Sequence, residues 1–296
     1  MEIKKYAAID IGSNAIRLLI ANVIEKEGHE TQYSKSSLIR VPIRLGADAF
    51  TSGIISEKNI TRFTDAMLAF KLLMKINEIE KFKACATSAI RESKNGKDIV
   101  KMVSEKTGIN IDIISGKTEA AIIASTNLSD FIQVDKSYLY VDVGGGSTEF
   151  TFFSHGKIIA SRSFKIGTVR AIDKKHRKKI NEEIKNWIKI TSVNLSKITL
   201  IGSGGNINKI FKMSGKAIGK PLSYIYLKAH YKFLKNLTYD QRIIELGLNP
   251  DRADVIIPAN KIYINAMKWS GAHKIYVPKI GLADGIIKGL HQDKLE

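Results

Sequence analysis

YVDVGGGSTEF occupies residues 140–150. An apolar run ends in Asp142, passes Gly144, Gly145 and Gly146, and resumes through Ser147, Thr148 and Glu149. Such a pattern predicts a strand, a sharp glycine turn and a returning strand, because glycine alone enters every backbone region without steric cost. An earlier stretch has the same shape: Ile9-Asp10-Ile11-Gly12-Ser13-Asn14 parallels Val141-Asp142-Val143-Gly144-Gly145-Gly146-Ser147 at a distance of roughly 130 residues. A repeat of that period implies duplicated domains, not the short units of a solenoid.

Around these two points the chain alternates strands with helices. YAAIDIGS, RLLIANVIE and ETQYSKSSLIRV read as strands. Ser56 to Ile79 has helical spacing of apolar residues behind a serine at the N-cap position. KFKACATSA reads as a strand, Gly96 to Lys106 as a helix, INIDIIS as a strand, and Lys117 to about Phe131 as a helix. The stretch 137–164 then reads as three strands joined by turns, followed by helices, the strand of ITLIGSGG, more helix, and the short strand of HKIYVPKI before GLADGIIKGL. The expected class is α/β, with sheets covered on both faces. The boundary is expected between residues 118 and 132, giving domains over 1–125 and 126–296, with a continuous helix as one way to bridge them.

With 296 residues the chain is long enough for two domains with sizeable cores. No apolar run reaches the length of a membrane span. The start MEIKKYAAIDIG lacks a signal-peptide core, so the expected location is the cytoplasm. One cysteine, Cys85, excludes a disulfide within the chain and reads as a small buried strand residue. The formal net charge of +18 favours polyanionic partners. Neither the aromatic interleaving of a single-strand binder nor zinc-finger spacing is present, which argues against nucleic acid. The densest basic run, Lys174 to Lys179, reads as a solvated helix or loop.

The two Asp-Gly turns carry the chemistry. Successive N–H groups in a tight turn form an anion-binding nest, and glycine lets a phosphate approach them. Ser13, Asn14, Ser147 and Thr148 add donors. The alternative, that the glycines only make turns, weakens when both loops begin with an aspartate. Carboxylates beside phosphate require a cation, and Mg²⁺ is held by one or two carboxylates with water and phosphate. Asp10, Asp142 and Glu149 are the candidate ligands; no His/Cys cluster points to zinc.

Gly116-Lys117-Thr118 is not a Walker loop, because position 111 is isoleucine where that motif needs glycine. Glu119, beside it, could orient a water as general base or simply favour a helix N-terminus, and the residues alone favour the second. Arg91 in ATSAIRES suits phosphate or a surface ion pair equally. LIGSGGN (200–206) lacks the last glycine of a dinucleotide fingerprint.

Together AAIDIGSNAIRLLI, ATSAIRES, ISGKTEA, YLYVDVGGGSTEF, SFKIGTVR, LIGSGGN, RADVIIPA and GLADGII resemble, in order and over nearly the whole chain, the exopolyphosphatase / guanosine pentaphosphate phosphatase family of the actin-like, sugar kinase and heat-shock ATPase superfamily. The resemblance implies two ribonuclease-H-like domains flanking a cleft and Mg²⁺-dependent hydrolysis of a terminal phosphoanhydride. By motif, Glu119 matches the catalytic base, reversing the residue-level reading. Asp142 and Glu149 match acids associated with metal and attacking water. Asp10, Gly12, Ser13 and Asn14 match the first phosphate loop, Gly144, Gly145, Gly146, Ser147 and Thr148 the second, and Arg91 a phosphate-contacting arginine. With no His-Asp pair and an end soon after GLADGII, the chain resembles the short two-domain form. Asn206-Ile207-Asn208 departs from the small or hydroxyl residues usual after the third glycine loop. Inorganic polyphosphate is the expected substrate, with guanosine pentaphosphate second; a non-catalytic polyphosphate or alarmone sensor, a sugar kinase and a homodimer stand as alternatives to be tested.

Overall fold

A computed structural model of the chain describes residues 1–126, 133, 135–195 and 197–295. The fold is α/β and divides into two compact units, one of Met1–Thr126 with Leu282–Glu296, the other of Asn127–Gly281.

The first unit holds β1 (Glu2–Ile11), β2 (Ile16–Glu25), β3 (Gln32–Val41), β4 (Lys81–Ala86) and β5 (Ile111–Ile113) in one sheet ordered β3-β2-β1-β4-β5. β1, β2 and β3 form an antiparallel meander, while β4 runs parallel to β1 and β5 parallel to β4. β1 lies in the middle, covered on both faces, which is why Tyr6–Ile11 is a continuous buried run and not an alternating one. β3 is an edge, and its exposed polar residues suit that place. Ile9, Ile11, Leu18 and Ile20 of the sheet pack with Phe63, Met67 and Phe70 of the helix Glu57–Ile76 and with Ile99 and Val103 of the helix Gly96–Thr107.

Three local expectations change. Ser56 stands at the N-cap of its helix, but its side chain does not cap it: its Oγ and N–H both donate to Asp48 Oδ2, at 2.6 and 2.9 Å. After Ala86 the strand of KFKACATSA gives way to a short helix, Ser88–Glu92, because Thr87 turns back to donate N–H and Oγ1 to the Ile11 carbonyl. The helix expected from Lys117 runs over Gly116–Ala124, and residues 127–131 of that expectation lie outside the described residues.

The second unit repeats the topology. β6 (Ser137–Val143), β7 (Thr148–Ser154), β8 (Lys157–Phe164), β9 (Thr199–Ser203), β10 (Leu222–Ser223) and β11 (Lys274–Tyr276) form a sheet ordered β8-β7-β6-β9-β11-β10. Again three antiparallel strands are followed by parallel ones, β9 on β6 and β11 on β9, with β10 added at the edge. This shared meander-then-parallel order is the ribonuclease-H-like arrangement. Leu139, Val141, Phe150 and Phe152 form the core with Ile207, Ile210, Tyr263 and Met267. Trp187 of the helix Lys174–Thr191 packs on Phe150, Phe152 and Phe164. The basic run Lys174–Lys179 opens that helix and is solvated.

The helix Leu282–His291 packs in the first unit, although the sequence continues into it from the second. A Cβ on Gly285 would stand 2.3 Å from the Ile122 carbonyl oxygen, so this glycine permits the helix Gly116–Ala124 to close on it. Lys35 Nζ meets Asp284 Oδ1 at 2.7 Å, and His291 bridges Tyr33 Oη at 2.9 Å and Glu25 Oε1 at 3.1 Å. Among the described residues no helix is long and apolar enough to cross a membrane.

Candidate active site

The two Asp-Gly turns are built alike. In the first, the Gly12 N–H donates to the Ala15 carbonyl at 3.2 Å; in the second, the Gly144 N–H donates to the Ser147 carbonyl at 3.0 Å. Each hairpin is thus closed around two loop residues, Ser13-Asn14 in one and Gly145-Gly146 in the other. A Cβ on Gly12 would lie 3.0 Å from the Ala15 oxygen, and one on Gly144 3.1 Å from the Ser147 oxygen, so closure of both turns leaves little room for a side chain there. The strand pairing set by these turns places Asp10 opposite Arg17, and Asp142 opposite Glu149.

In the first unit Asp10 is 6% exposed, and its Oδ2 accepts from Arg17 Nη1 at 2.6 Å. The cation that this buried aspartate requires is therefore already beside it. Ser13 is buried, with its Oγ 2.9 Å from Ser88 Oγ. The loop carbonyls face inward: Ser13 accepts from the Gly46 N–H at 2.8 Å and Asn14 from the Arg44 N–H at 3.1 Å. Arg91 donates through Nη1 to the Ile114 carbonyl at 2.6 Å, spending one of its five donors on the end of β5. Just beyond, Ser115 caps the helix Gly116–Ala124 by accepting from the Thr118 N–H, which fixes Glu119 in the first turn with its Oε2 buried. Cys85, paired with Asp10 across the β1–β4 ladder, is a free, buried thiol pushed up to about 12, chiefly by burial, then by the charge of Asp112, with smaller contributions from Asp10 and Glu119.

In the second unit Glu149 is 2% exposed, and its Oε1 accepts from Ser147 Oγ at 2.6 Å and Ser163 Oγ at 2.8 Å. Asp142 Oδ2 lies 3.1 Å from Ser203 Oγ, which is also 2.8 Å from the Ile280 carbonyl oxygen; its single proton serves one of the two at a time. Tyr263 is fully buried and donates its hydroxyl to the Ser203 carbonyl. Its hydroxyl is held well above the usual phenol range by burial first, then by the negative charge of Asp142, with Glu149 adding to it. Gly204, at φ +111°, presses against the same carboxylate: a Cβ there would meet the Val143 oxygen at 3.0 Å and Asp142 Oδ1 at 3.3 Å.

The glycine loop is anchored by its carbonyls. Gly144 accepts from the Thr168 N–H at 3.1 Å, Gly145 from Val169 at 2.8 Å and Arg170 at 3.1 Å, and Gly146 from Arg170 Nε at 2.6 Å. Thr148, fully buried, donates its hydroxyl to the Ile166 carbonyl at 2.6 Å. With the carbonyls committed to 166–170, the N–H groups of Gly145, Gly146 and Ser147 have no acceptor among the described residues. Adjacent amides left over in a tight turn can form an anion nest.

A family model described as the Ppx/GppA phosphatase family matches residues 26–293. The chain belongs to the Ppx/GppA phosphatase family. It is therefore a phosphatase, and the matched span takes in Glu119 and the second glycine loop while the first hairpin precedes it. Two curated relatives frame the length. The chain is 30% identical over 319 residues to a bifunctional 3-dehydroquinate synthase/phosphatase of Fusobacterium nucleatum subsp. nucleatum, covering 96% of this chain but 46% of that protein. It is 24% identical over 320 residues to exopolyphosphatase 2 of Mycobacterium tuberculosis, covering 98% of this chain and 99% of that one. Among solved structures, an exopolyphosphatase from Cytophaga hutchinsonii has the same fold, with a TM-score of 0.86 at 22% identity over 99% of both chains.

Several residues that frame the site of this Ppx/GppA chain lie outside the set expected from sequence. Arg17 was legible: two-residue closure at Gly12 fixes its register opposite Asp10. Ser203, Gly204 and Tyr263 were not, since each reaches Asp142 from a distant part of the chain. A basic cavity of about 360 Å³ was not legible either; it is lined by Asn208, Lys209, Lys212, Asn249, Arg252 and Lys279. It joins the helix Gly205–Met213, which opens at the end of LIGSGGN, to Arg252 at the start of RADVIIPA, some forty residues on in sequence. Burial first, then repulsion from Lys212 and Arg252, pushes the Lys209 ammonium below its ordinary range.

Proposed function

We propose that the chain hydrolyses the terminal phosphoanhydride of inorganic polyphosphate and releases orthophosphate. The observation that carries this reading is the row of N–H groups at Gly145, Gly146 and Ser147 beside two opposed carboxylates, Asp142 and Glu149. Amides alone would serve any anion. Amides beside carboxylates serve an anion that arrives with a cation.

The donor set fits a hard divalent ion such as Mg²⁺. Asp142 and Glu149 would hold it, in keeping with the one or two carboxylates that Mg²⁺ takes when phosphate and water fill its other positions. Bound there, it would neutralise charge on the phosphate oxygens. Asp10 keeps Oδ1 for the same kind of duty while Oδ2 holds Arg17. In the second unit the loop amides at Gly145, Gly146 and Ser147 would position phosphate; in the first, the Gly12-Ser13-Asn14 turn and Arg91, with donors left beyond the Ile114 carbonyl, are assigned the same kind of role. Glu119, set by the Ser115 cap in the first turn of its helix, orients the water and takes its proton as the P–O bond to the leaving phosphate breaks. Positioning and electrostatics do most of the work in phosphoryl transfer, which suits a site made of turns and charges.

Polyphosphate is favoured as substrate by the +18 net charge and by the cation-lined cavity, which offers further phosphates a place along the chain. The test is orthophosphate release with Mg²⁺ on long polyphosphate, short polyphosphate and guanosine pentaphosphate. A higher kcat/KM on polyphosphate is expected. A higher value on guanosine pentaphosphate would replace the substrate, and tight binding of both without release would make the chain a sensor.

A further inference from the structure

Ser203 ends β9, the strand between β6 and β11, and its hydroxyl meets an acceptor from each side. One is Asp142, its partner in the β6–β9 ladder, with Oδ2 at 3.1 Å. The other is the Ile280 carbonyl oxygen at 2.8 Å, four residues beyond β11. A serine hydroxyl has one proton for the two. Ser203 is 1% exposed, so bulk water does not stand in as donor for the acceptor that loses. Its backbone is fixed as well, because its carbonyl accepts from the Tyr263 hydroxyl.

The second acceptor matters for what precedes it. Lys279 has φ +58°, a left-handed backbone that a lysine keeps only where its surroundings hold it. A hydrogen bond on the next carbonyl helps to hold that turn. Lys279 also lines the basic cavity with Lys209, Lys212 and Arg252. The charged carboxylate is the stronger acceptor and the carbonyl the nearer one, so loss of charge at Asp142 tips the proton toward Ile280. We infer that Ser203 is a positioning residue that couples Asp142 to the Lys279 turn. With Asp142 charged and unpaired with a cation, the hydroxyl is drawn to the carboxylate. With that charge neutralised, it turns to the Ile280 carbonyl and pins the turn that sets Lys279 at the cavity. The cation that does this in the working protein is Mg²⁺, which rests on the reading of Asp142 as its ligand; the competition for the proton does not.

Gly281 reports the switch. Its nitrogen shares a peptide bond with the Ile280 carbonyl, and its magnetic resonance moves downfield when that oxygen accepts a hydrogen bond. In spectra of the full chain with glycine labelled on nitrogen, the Gly281 signal is the one lost in Gly281→Ala. A Cβ there meets only Ser203 Oγ, at 4.0 Å, so the substitution fits. Asp142→Asn, a neutral and weaker acceptor, is expected to move Gly281 downfield with no ion added. Mg²⁺ is expected to move it the same way in wild type. In Ser203→Ala the signal is expected upfield and indifferent both to Mg²⁺ and to Asp142→Asn, while Mg²⁺ still raises the melting temperature. A Gly281 signal unmoved by Asp142→Asn, or one that moves as far in Ser203→Ala as in wild type, would overturn the proposal. A response to Asp142→Asn but none to Mg²⁺ would uphold the switch and take the ion away from Asp142, so the two readings fail separately.

Discussion

Glu149 stands directly opposite Asp142 on the neighbouring antiparallel strand, whereas the same place in the other hairpin, opposite Asp10, is taken by Arg17. One sheet therefore supplies its aspartate with an internal cation; the other sets two acids together. Like charges directly opposite are destabilising. Serine hydroxyls relieve part of that at Glu149 and Asp142, and a bound cation would relieve the rest.

Added Mg²⁺ should raise the melting temperature of the protein, because it binds the folded carboxylate pair and not the unfolded chain. Glu149→Gln or Asp142→Asn should reduce that rise and, in the absence of Mg²⁺, melt no lower than wild type. Calorimetric or fluorescence melts with and without the ion measure it. An undiminished Mg²⁺ shift in both variants would move the metal elsewhere.

Arg17→Met should destabilise the first unit by about 2 kcal/mol, since it leaves the buried Asp10 carboxylate without its counter-charge. The double change Asp10→Asn with Arg17→Met should recover part of the loss. Urea unfolding of the single and double variants gives both values, and a fully additive result would deny the coupling.

Glu119→Gln should keep the fold and lower kcat on polyphosphate by about 10²–10⁴-fold, the range of a lost general base. Phosphate release near the wild-type rate would remove Glu119 from the chemistry. Lys209→Ala with Lys212→Ala should instead raise KM and flatten its salt dependence while leaving kcat close to wild type, because these cations line a cavity and touch no scissile bond in this reading.

Gly204→Ala should cost about 2 kcal/mol or more and impair turnover. The residue sits at φ +111°, and its Cβ would crowd both the Val143 carbonyl and Asp142 Oδ1. Gly156→Ala is the control: its φ is +72°, but nothing stands within 4 Å, so only the backbone cost of about 1 kcal/mol is expected. Equal losses at the two positions would mean that contact with Asp142 has no weight.

Stability should fall as the solution is acidified from pH 7 toward pH 5, in part through His230. This ring is 8% exposed, stacks on Tyr226, and has no hydrogen-bond partner on either nitrogen among the described residues. Burial holds it below the usual histidine range, so the unfolded chain takes up the proton first. Below the unfolded value stability then drops, by at most about 1.4 kcal/mol per pH unit from this group. His230→Phe should flatten the pH dependence of the melting temperature; an unchanged slope would assign the effect to other groups.

Much of this molecule is local and was legible in its residues. The alternation of IDIG and VDVG, a glycine where a hairpin must close, and the apolar run of each central strand depend on neighbours within a few positions, so the repeat, both turns and the α/β class could be read from the chain alone. Cys85 as a buried, unpaired thiol could be read there as well. Hidden from such a reading was whatever comes from far along the chain. Ser203, Gly204 and Tyr263 close on Asp142 from 61 or more residues away. Thr148, expected as a donor in the phosphate loop, turns its hydroxyl to the Ile166 carbonyl because the strand pairing drives it into the core. The last helix, Leu282–His291, leaves the unit that precedes it and packs on β1, β2 and β4, where Gly285 lets Ile122 approach. Periodicity specifies which face of an element is apolar, not which partner will cover it; that choice is made only when the elements pack.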